Sequence, residues 1–224
     1  LINIPLTKYR YKYINQRVDE RFSKILEEFK PDIVHFGHLN HLSLSLPSIA
    51  SNFKIPTIYT LHDFWLICAR GRFIQRNSQD LFKLCDGQDD KKCAKQCYSG
   101  YFTGDDNFAK SNLSYWKAWI ANRMEHTKSI VTYIDHFIAP SRFLMNKFIK
   151  EFNIPEDKLS YIDYGFDLER LTDRVRSKSK NFVFGYIGTH PPEKGIDLLL
   201  QAFADITTDA RLKIWGRERP KTNA

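Results

Sequence analysis

The chain has 224 residues, 42% of them hydrophobic, and a formal net charge of +8 at pH 7. The length leaves room for one large or two modest globular domains, and no apolar run approaches the roughly 18–20 residues of a membrane-spanning helix. The positive balance points to an anionic partner, whether a phosphate ligand, nucleic acid or a membrane surface. The Lys and Arg residues are scattered rather than gathered into one run, which argues against a nucleic-acid-binding arm.

Taken in order, residues 1–12 (LINIPLTKYRYK) hold Pro5 and alternate weakly, as a loop or an edge strand would. From Asn15 to Phe29, Val18, Phe22, Ile25, Leu26 and Phe29 recur at helical spacing, and Pro31 stops the helix. Asp32–Gly37 is a short apolar strand, His41–Asn52 a second helix, and Ile55–Leu61 a β-branched strand. That β, α, β succession predicts a parallel sheet.

Arg72–Phe108 breaks the rhythm, being polar and too long for an ordinary α/β loop, so it is an insertion with its own purpose or its own staple. A long helix is expected over Lys110–Ile134, with Leu113, Trp116, Ile120 and Met124 near one face. Then follow a strand at His136–Pro140 and a helix at Ser141–Phe152, capped by Ser141, with Leu144, Phe148 and Ile149 as its apolar stripe. Lys158–Tyr164 is the next strand. The polar stretch Asp167–Lys180 is the expected linker, which sets domains at 1–170 and 171–224. The second domain opens with strand Phe182–Ile187, helix Gly195–Ile206 and strand Leu212–Trp215. Two strands and one helix are few for a parallel sheet covered on both faces, and the sequence opens at Leu1 rather than Met; both features read as truncation.

In open α/β sheets ligands bind beyond the carboxyl ends of the strands. His62 and Asp63 follow directly on the strand Ile55–Leu61, ahead of a loop with Cys68 and Arg70. They suit general acid–base, ligand-binding or orienting roles; the plain structural alternative is a hydrogen-bonded histidine and a turn-capping aspartate. His38, at the end of the preceding strand, is the better placed of two histidines to reach the cleft, while His35 reads as structural. The turn Gly188–Gly195 (GTHPPEKG) links a strand to a helix, so it aims N–H groups at an anion and adds Lys194 as a point charge. A solvated turn is the equal alternative. It is neither a Walker loop nor a GxGxxG fingerprint.

In sequence, PDIVHFGHLN, IPTIYTLHDFWLICARG, FIAPSRFLMNKF, YGFD and FGYIGTHPPEKGIDLLLQAF resemble, in order and spacing over nearly the whole chain, a family 4 glycosyltransferase of the GT-B fold. The resemblance implies an α/β protein: a Rossmann-like acceptor-side domain, the GT-B N-terminal domain, plus the start of a second Rossmann-like domain for the nucleotide-sugar donor. It further implies sugar transfer with retention of configuration and no metal in catalysis. By motif position, His62 matches the histidine near the transferred sugar, with Asp63 able to orient it or to meet the acceptor. Lys194 matches the lysine that neutralises the donor diphosphate, and Gly188 and Gly195 match the flanking glycines. Thr189 stands where the family usually has Arg. The downstream E-x7-E block and the Gly-rich loop near the start of the first domain are absent, so this chain alone is expected to be inactive. His38 and Arg70 are the acceptor-side candidates. The acceptor implied is a glycan or lipid-linked glycan, and the setting is cytoplasmic, at the inner face of a membrane. A non-catalytic glycan- or partner-binding domain derived from such an enzyme is the alternative.

The four cysteines, Cys68-x16-Cys85-x7-Cys93-x3-Cys97, lie within or beside the insertion. Four thiolates can close a tetrahedral structural zinc site, against which stand disulfides or free thiols. Finally, Tyr115, Trp116 and Trp119 beside Lys110, Lys117 and Arg123 form either an interfacial, membrane-touching stripe or simply core.

Overall fold

The computed structural model describes residues 13–68, 70–75, 83–98, 112–172, 175, 180–190 and 192–217. Residues 1–12, much of the insertion and most of the RVRSKSK stretch lie outside the described residues. The chain divides into two compact units: residues 1–76 with 84–165, and residues 77–83 with 166–224.

The first unit is built on four parallel strands in the order β1 (Val34–Phe36), β2 (Thr57–Thr60), β3 (His136–Ala139) and β4 (Leu159–Tyr161). Helix α1 (Gln16–Phe29) starts where the Asn15 side chain accepts the Arg17 N–H, and it stops at left-handed Lys30, one residue before Pro31. Helix α2 covers Leu46–Asn52, five residues shorter at its start than the periodicity suggests. Residues 41–45 are engaged elsewhere. His41 has φ +65°, Leu44 N–H donates to the Tyr13 carbonyl, and Ser43 Oγ accepts from Asn15 N–H, which ties this segment to the entry of α1.

The sheet buries one face. Phe36, Tyr59 and Phe137 sit in register on neighbouring strands, with ring centroids 6.5 and 6.2 Å apart, and form an aromatic row across the core. Burial pushes the Tyr59 phenol well above its usual range. Thr57 anchors the start of β2: its N–H donates to Asp135 Oδ2 at 2.7 Å and its hydroxyl to the Tyr133 carbonyl at 3.0 Å. The alternate residues His35, Ile58, Thr60, His136 and Ile138 are half-buried or exposed on the other face, where His35 meets Thr60 at 2.7 Å.

Within the predicted insertion, helix α3 forms at Asp90–Lys92, capped by Asp89, and continues as a π-helix over Cys93–Tyr98. Its apolar side packs with Trp116 and Ile120 of helix α4 (Leu113–Val131). Trp116 and Arg123 of the aromatic and basic stripe are only 6% and 2% exposed and belong to the core, whereas Tyr115 is 59% exposed, Lys117 is exposed and Trp119 is half-buried; Lys110 lies outside the described residues. Among the described residues no helix is long and apolar enough to cross a membrane. Helix α5 (Arg142–Phe152) begins as expected at Ser141, whose Oγ accepts the Leu144 N–H at 3.2 Å, and buries Leu144 and Phe148. Glu156–Lys158 is a 3-10 turn, so β4 starts one residue later than expected and ends at Tyr161.

The second unit contains helix α6 (Glu169–Thr172), the parallel pair β5 (Phe182–Ile187) and β6 (Ala210–Trp215), and helix α7 (Ile196–Ala204). Phe182, Ile187, Leu198 and Trp215 are exposed.

Candidate functional site

The carboxyl ends of β1, β2 and β4 bring three loops together. Beyond β1, the Asn40 N–H donates to His38 Nδ1 at 2.8 Å, so that nitrogen is an acceptor and Nε2 carries the proton of the neutral ring. Nε2 therefore donates to Asp63 Oδ2, 3.3 Å away beyond β2. The other Asp63 oxygen accepts the Trp65 N–H at 2.7 Å, and the Trp65 ring lies against His38 with centroids 5.4 Å apart. Asp63 is thus bonded to His38 and to its own loop. Its side chain stays 44% exposed.

His62 has different surroundings. It is exposed, and its Nδ1 lies 2.7 Å from the Tyr164 hydroxyl, which comes from the segment after β4. The two rings are stacked, with planes 6° apart and centroids at 5.6 Å. His62 Nε2 bonds no other described residue, and a Cβ placed on Gly37 would stand 3.9 Å from it. Both nitrogens of His38 are committed within the protein, whereas His62 keeps one ring nitrogen to offer a ligand. That makes His62 the group able to donate to or accept from a hydroxyl.

The loop between β2 and the insertion is held from below by Arg123 of α4. Its guanidinium donates to the Trp65 carbonyl at 2.5 Å and the Leu66 carbonyl at 3.3 Å, and lies 4.7 Å from the Trp65 ring centroid. Gly71 closes the loop with φ +70°, and a Cβ there would stand 3.0 Å from Asp63 Oδ2. Gly71→Ala is expected to lower unfolding free energy by about 1–2 kcal/mol, from the left-handed backbone and the crowded carboxylate. Urea unfolding of the variant measures this, and an unchanged midpoint would contradict it.

Arg70 donates from one guanidinium nitrogen to the Ile74 carbonyl at 3.5 Å, along the outgoing chain, which is one of its contacts. Cys68 faces Cys85 and Cys93 across a small cavity in the same loop region. Among the described residues, no three His, Cys, Asp or Glu side chains stand at metal-ligand spacing, and all four cysteines are free thiols.

Gly188, Thr189, Lys194 and Gly195 belong to the second unit. There the sheet ladder continues past the strands: Gly188 N–H donates to the Trp215 carbonyl at 2.9 Å and His190 N–H to the Arg217 carbonyl at 3.3 Å. The Tyr186 hydroxyl donates to the Thr189 carbonyl at 3.0 Å. Lys194 ends the 3-10 turn Pro192–Lys194; it is exposed and makes no ion pair with a described residue. Gly195, at φ +68°, turns the chain into α7, where the N–H groups of its first turn are open to an anion. A Cβ on Gly216 would stand 1.7 Å from the Gly188 carbonyl oxygen, so only glycine fits there.

Sequence reasoning passed over Tyr164, Gly71 and Gly216 as site residues and took Arg123 only as one of the basic residues of the α4 stripe. Tyr164 sat inside the YGFD block and Gly71 at the end of the HDFW loop, so their positions at strand and loop ends were available signals. Arg123 carried none, because a buried arginine in a helix is spelled like an exposed one.

The Glycosyltransferase Family 4 model matches residues 1–170 of the chain. No curated protein matches it. Among solved structures, it is similar to a Staphylococcus aureus MnaA–UDP co-structure, at 12% identity and a TM-score of 0.41, over 99% of this chain and 48% of that one. A UDP-GlcNAc 2-epimerase from Neisseria meningitidis, bound to UDP-GlcNAc, is similar at 17% identity and a TM-score of 0.36, over 89% of this chain and 47% of that one. The UDP-GlcNAc 2-epimerase of Methanocaldococcus jannaschii gives 13% and 0.37, over 90% and 47%. The chain thus spans about half the length of these structures.

Proposed function

The chain belongs to glycosyltransferase family 4, and from that premise we propose that it serves the transfer of a sugar from a nucleotide-sugar donor to an acceptor glycan, free or lipid-linked, with retention of configuration. The observation that carries the reading is His62: a histidine at the carboxyl end of a central parallel strand, fixed on one nitrogen by Tyr164 and open on the other. An exposed ring nitrogen held in this way can fix a sugar hydroxyl, so that the anomeric carbon is presented in one orientation. The His38–Asp63 pair shapes the wall beside it and leaves carboxylate surface for an acceptor hydroxyl.

The leaving group of such a transfer is a nucleoside diphosphate, which gains negative charge as the glycosidic bond breaks. Lys194 and the N–H groups at the start of α7 are the groups this chain offers to that charge. Thr189, placed where the family's arginine would stand, leaves Lys194 the principal cation of the turn. The net charge of +8 suits work at the cytoplasmic face of an anionic membrane, where lipid-linked acceptors reside.

The test is transfer or hydrolysis of a panel of nucleotide sugars by the protein, expressed as the longest polypeptide that its reading frame encodes. Turnover of one donor is expected, and Lys194→Ala is expected to weaken binding of the nucleoside diphosphate about tenfold. Binding of a glycan with no turnover of any donor would replace the enzyme by a binding domain.

A further inference from the structure

We propose that Cys68, Cys85, Cys93 and Cys97 together bind one thiophilic divalent cation of tetrahedral preference, such as zinc, which clasps the insertion to the loop carrying His62 and Asp63. The first observation is a cavity of about 20 Å³ lined by Cys68, Cys85 and Cys93, with Ile67, Phe73, Gly87 and Gln88 completing its wall. Such a space is close to the size of a single water or ion. Its polar liner, Gln88, spends its amide N–H groups on Asp90 and on the Ile120 carbonyl, at 3.1 and 3.4 Å. A water there would find few of the polar partners that ordinarily retain one, whereas a soft cation would find sulfur.

The second observation is the backbone that carries the last two cysteines. Cys93–Tyr98 is a π-helix, an uncommon conformation that recurs at functional positions. Its wider turn brings residues four apart almost above one another, so Cys93 and the equally buried Cys97 share a face. Cys93 thus joins the two groups: it lines the cavity with Cys68 and Cys85, and it packs with Cys97 in one buried cluster.

The third observation is Lys92. Its ammonium donates to Cys85 Sγ at 3.9 Å and to the Gly87 carbonyl at 2.8 Å, and it is paired with Asp86. Four thiolates around a divalent cation carry a net double negative charge, and a cation donating to one sulfur offsets part of it. The thiols do not stand at ligand spacing, so closing the site is part of binding: each sulfur forms its bond to the metal as its proton leaves to solvent. The gain is mechanical. Leu84 and Cys85 are tied to the chain leaving the His62 loop through the Ile74–Leu84 bridge and the Cys85 N–H to Phe73 carbonyl bond, and a metal would add a third fastening beside the site.

The experiment mixes the purified, reduced protein with Zn²⁺, desalts it, counts the metal retained, and follows alkylation of the thiols with and without the metal. One equivalent of Zn²⁺ is expected to remain, with alkylation slowed by about tenfold or more and restored by a chelator. Co²⁺ in its place is expected to give thiolate-to-cobalt charge-transfer absorption, and Cys93→Ser to reduce retained metal to a trace. Should that variant fail to fold, the alkylation rates of the unaltered protein decide. Retention of less than half an equivalent, or alkylation indifferent to zinc, would overturn the proposal.

Discussion

Replacing His62 with alanine is expected to lower kcat/KM for sugar transfer by about 100-fold, because an open ring nitrogen held in one orientation contributes through positioning. The loss should fall mainly on kcat. The diphosphate, which supplies much of a donor's binding energy, is proposed to meet Lys194 and α7 rather than His62. Tyr164→Phe separates the two faces of this arrangement. It keeps the stacked ring, 6° from parallel, and removes only the hydroxyl 2.7 Å from Nδ1. A single hydrogen bond of ordinary strength corresponds to a loss of roughly 2–10-fold. Steady-state kinetics on both variants check the pair of expectations. If His62→Ala transfers sugar at the unaltered rate while Lys194→Ala does not, the role given to His62 is wrong and the donor turn keeps its own.

Arg123→Ala is expected to be the most destabilising single change in the first unit, by about 3 kcal/mol or more. Arg123 is 2% exposed. Removing it opens a cavity under Trp65 and leaves the Trp65 and Leu66 carbonyls without the guanidinium that reaches both. For a protein of this size that corresponds to a fall in Tm of roughly 10 °C. Arg123→Lys should recover less than half of it, since an ammonium neither forks to two carbonyls nor stacks flat on an indole. Arg123→Met keeps much of the volume and isolates the polar share of the loss. Thermal unfolding followed by circular dichroism measures all three; an Arg123→Ala protein melting within a degree or two of the parent would mean that the loop does not lean on this side chain.

The parts of the fold that were legible in the sequence are those where local signals agreed. Ser141 before an apolar stripe, Pro31 after α1, and β-branched runs ending on polar residues each fixed an element through its own cap or period. Helix α2 was misread at its start because the Leu44 N–H is spent on the Tyr13 carbonyl and the Ser43 hydroxyl on the Asn15 N–H, long-range bonds that periodicity cannot report. The stripe on α4 was ambiguous for a related reason. Trp116 and Arg123 are buried by segments far away in the chain, among them the π-helix, which no short pattern announces.

At the site, the strand-end rule located His62, Asp63 and His38. It could not say which nitrogen of which ring is committed, since that depends on the Asn40 N–H and the Tyr164 hydroxyl. Asp63 stands next to His62 in sequence yet bonds His38, 25 residues away. Adjacent residues of an extended segment point to opposite sides, so the near neighbour is the less available partner.

The contact between Gly188 and Gly216 fixes the start of the turn proposed to meet the donor. Main chain touches main chain there, and the ladder bonds at Gly188 and His190 extend the sheet into the turn. The first residues of the turn therefore behave as a clamped beam rather than a hinge. A ligand bound there as proposed would meet, from Gly188 to His190, main chain already fixed before it arrives, with the exposed Lys194 side chain as the nearby cation.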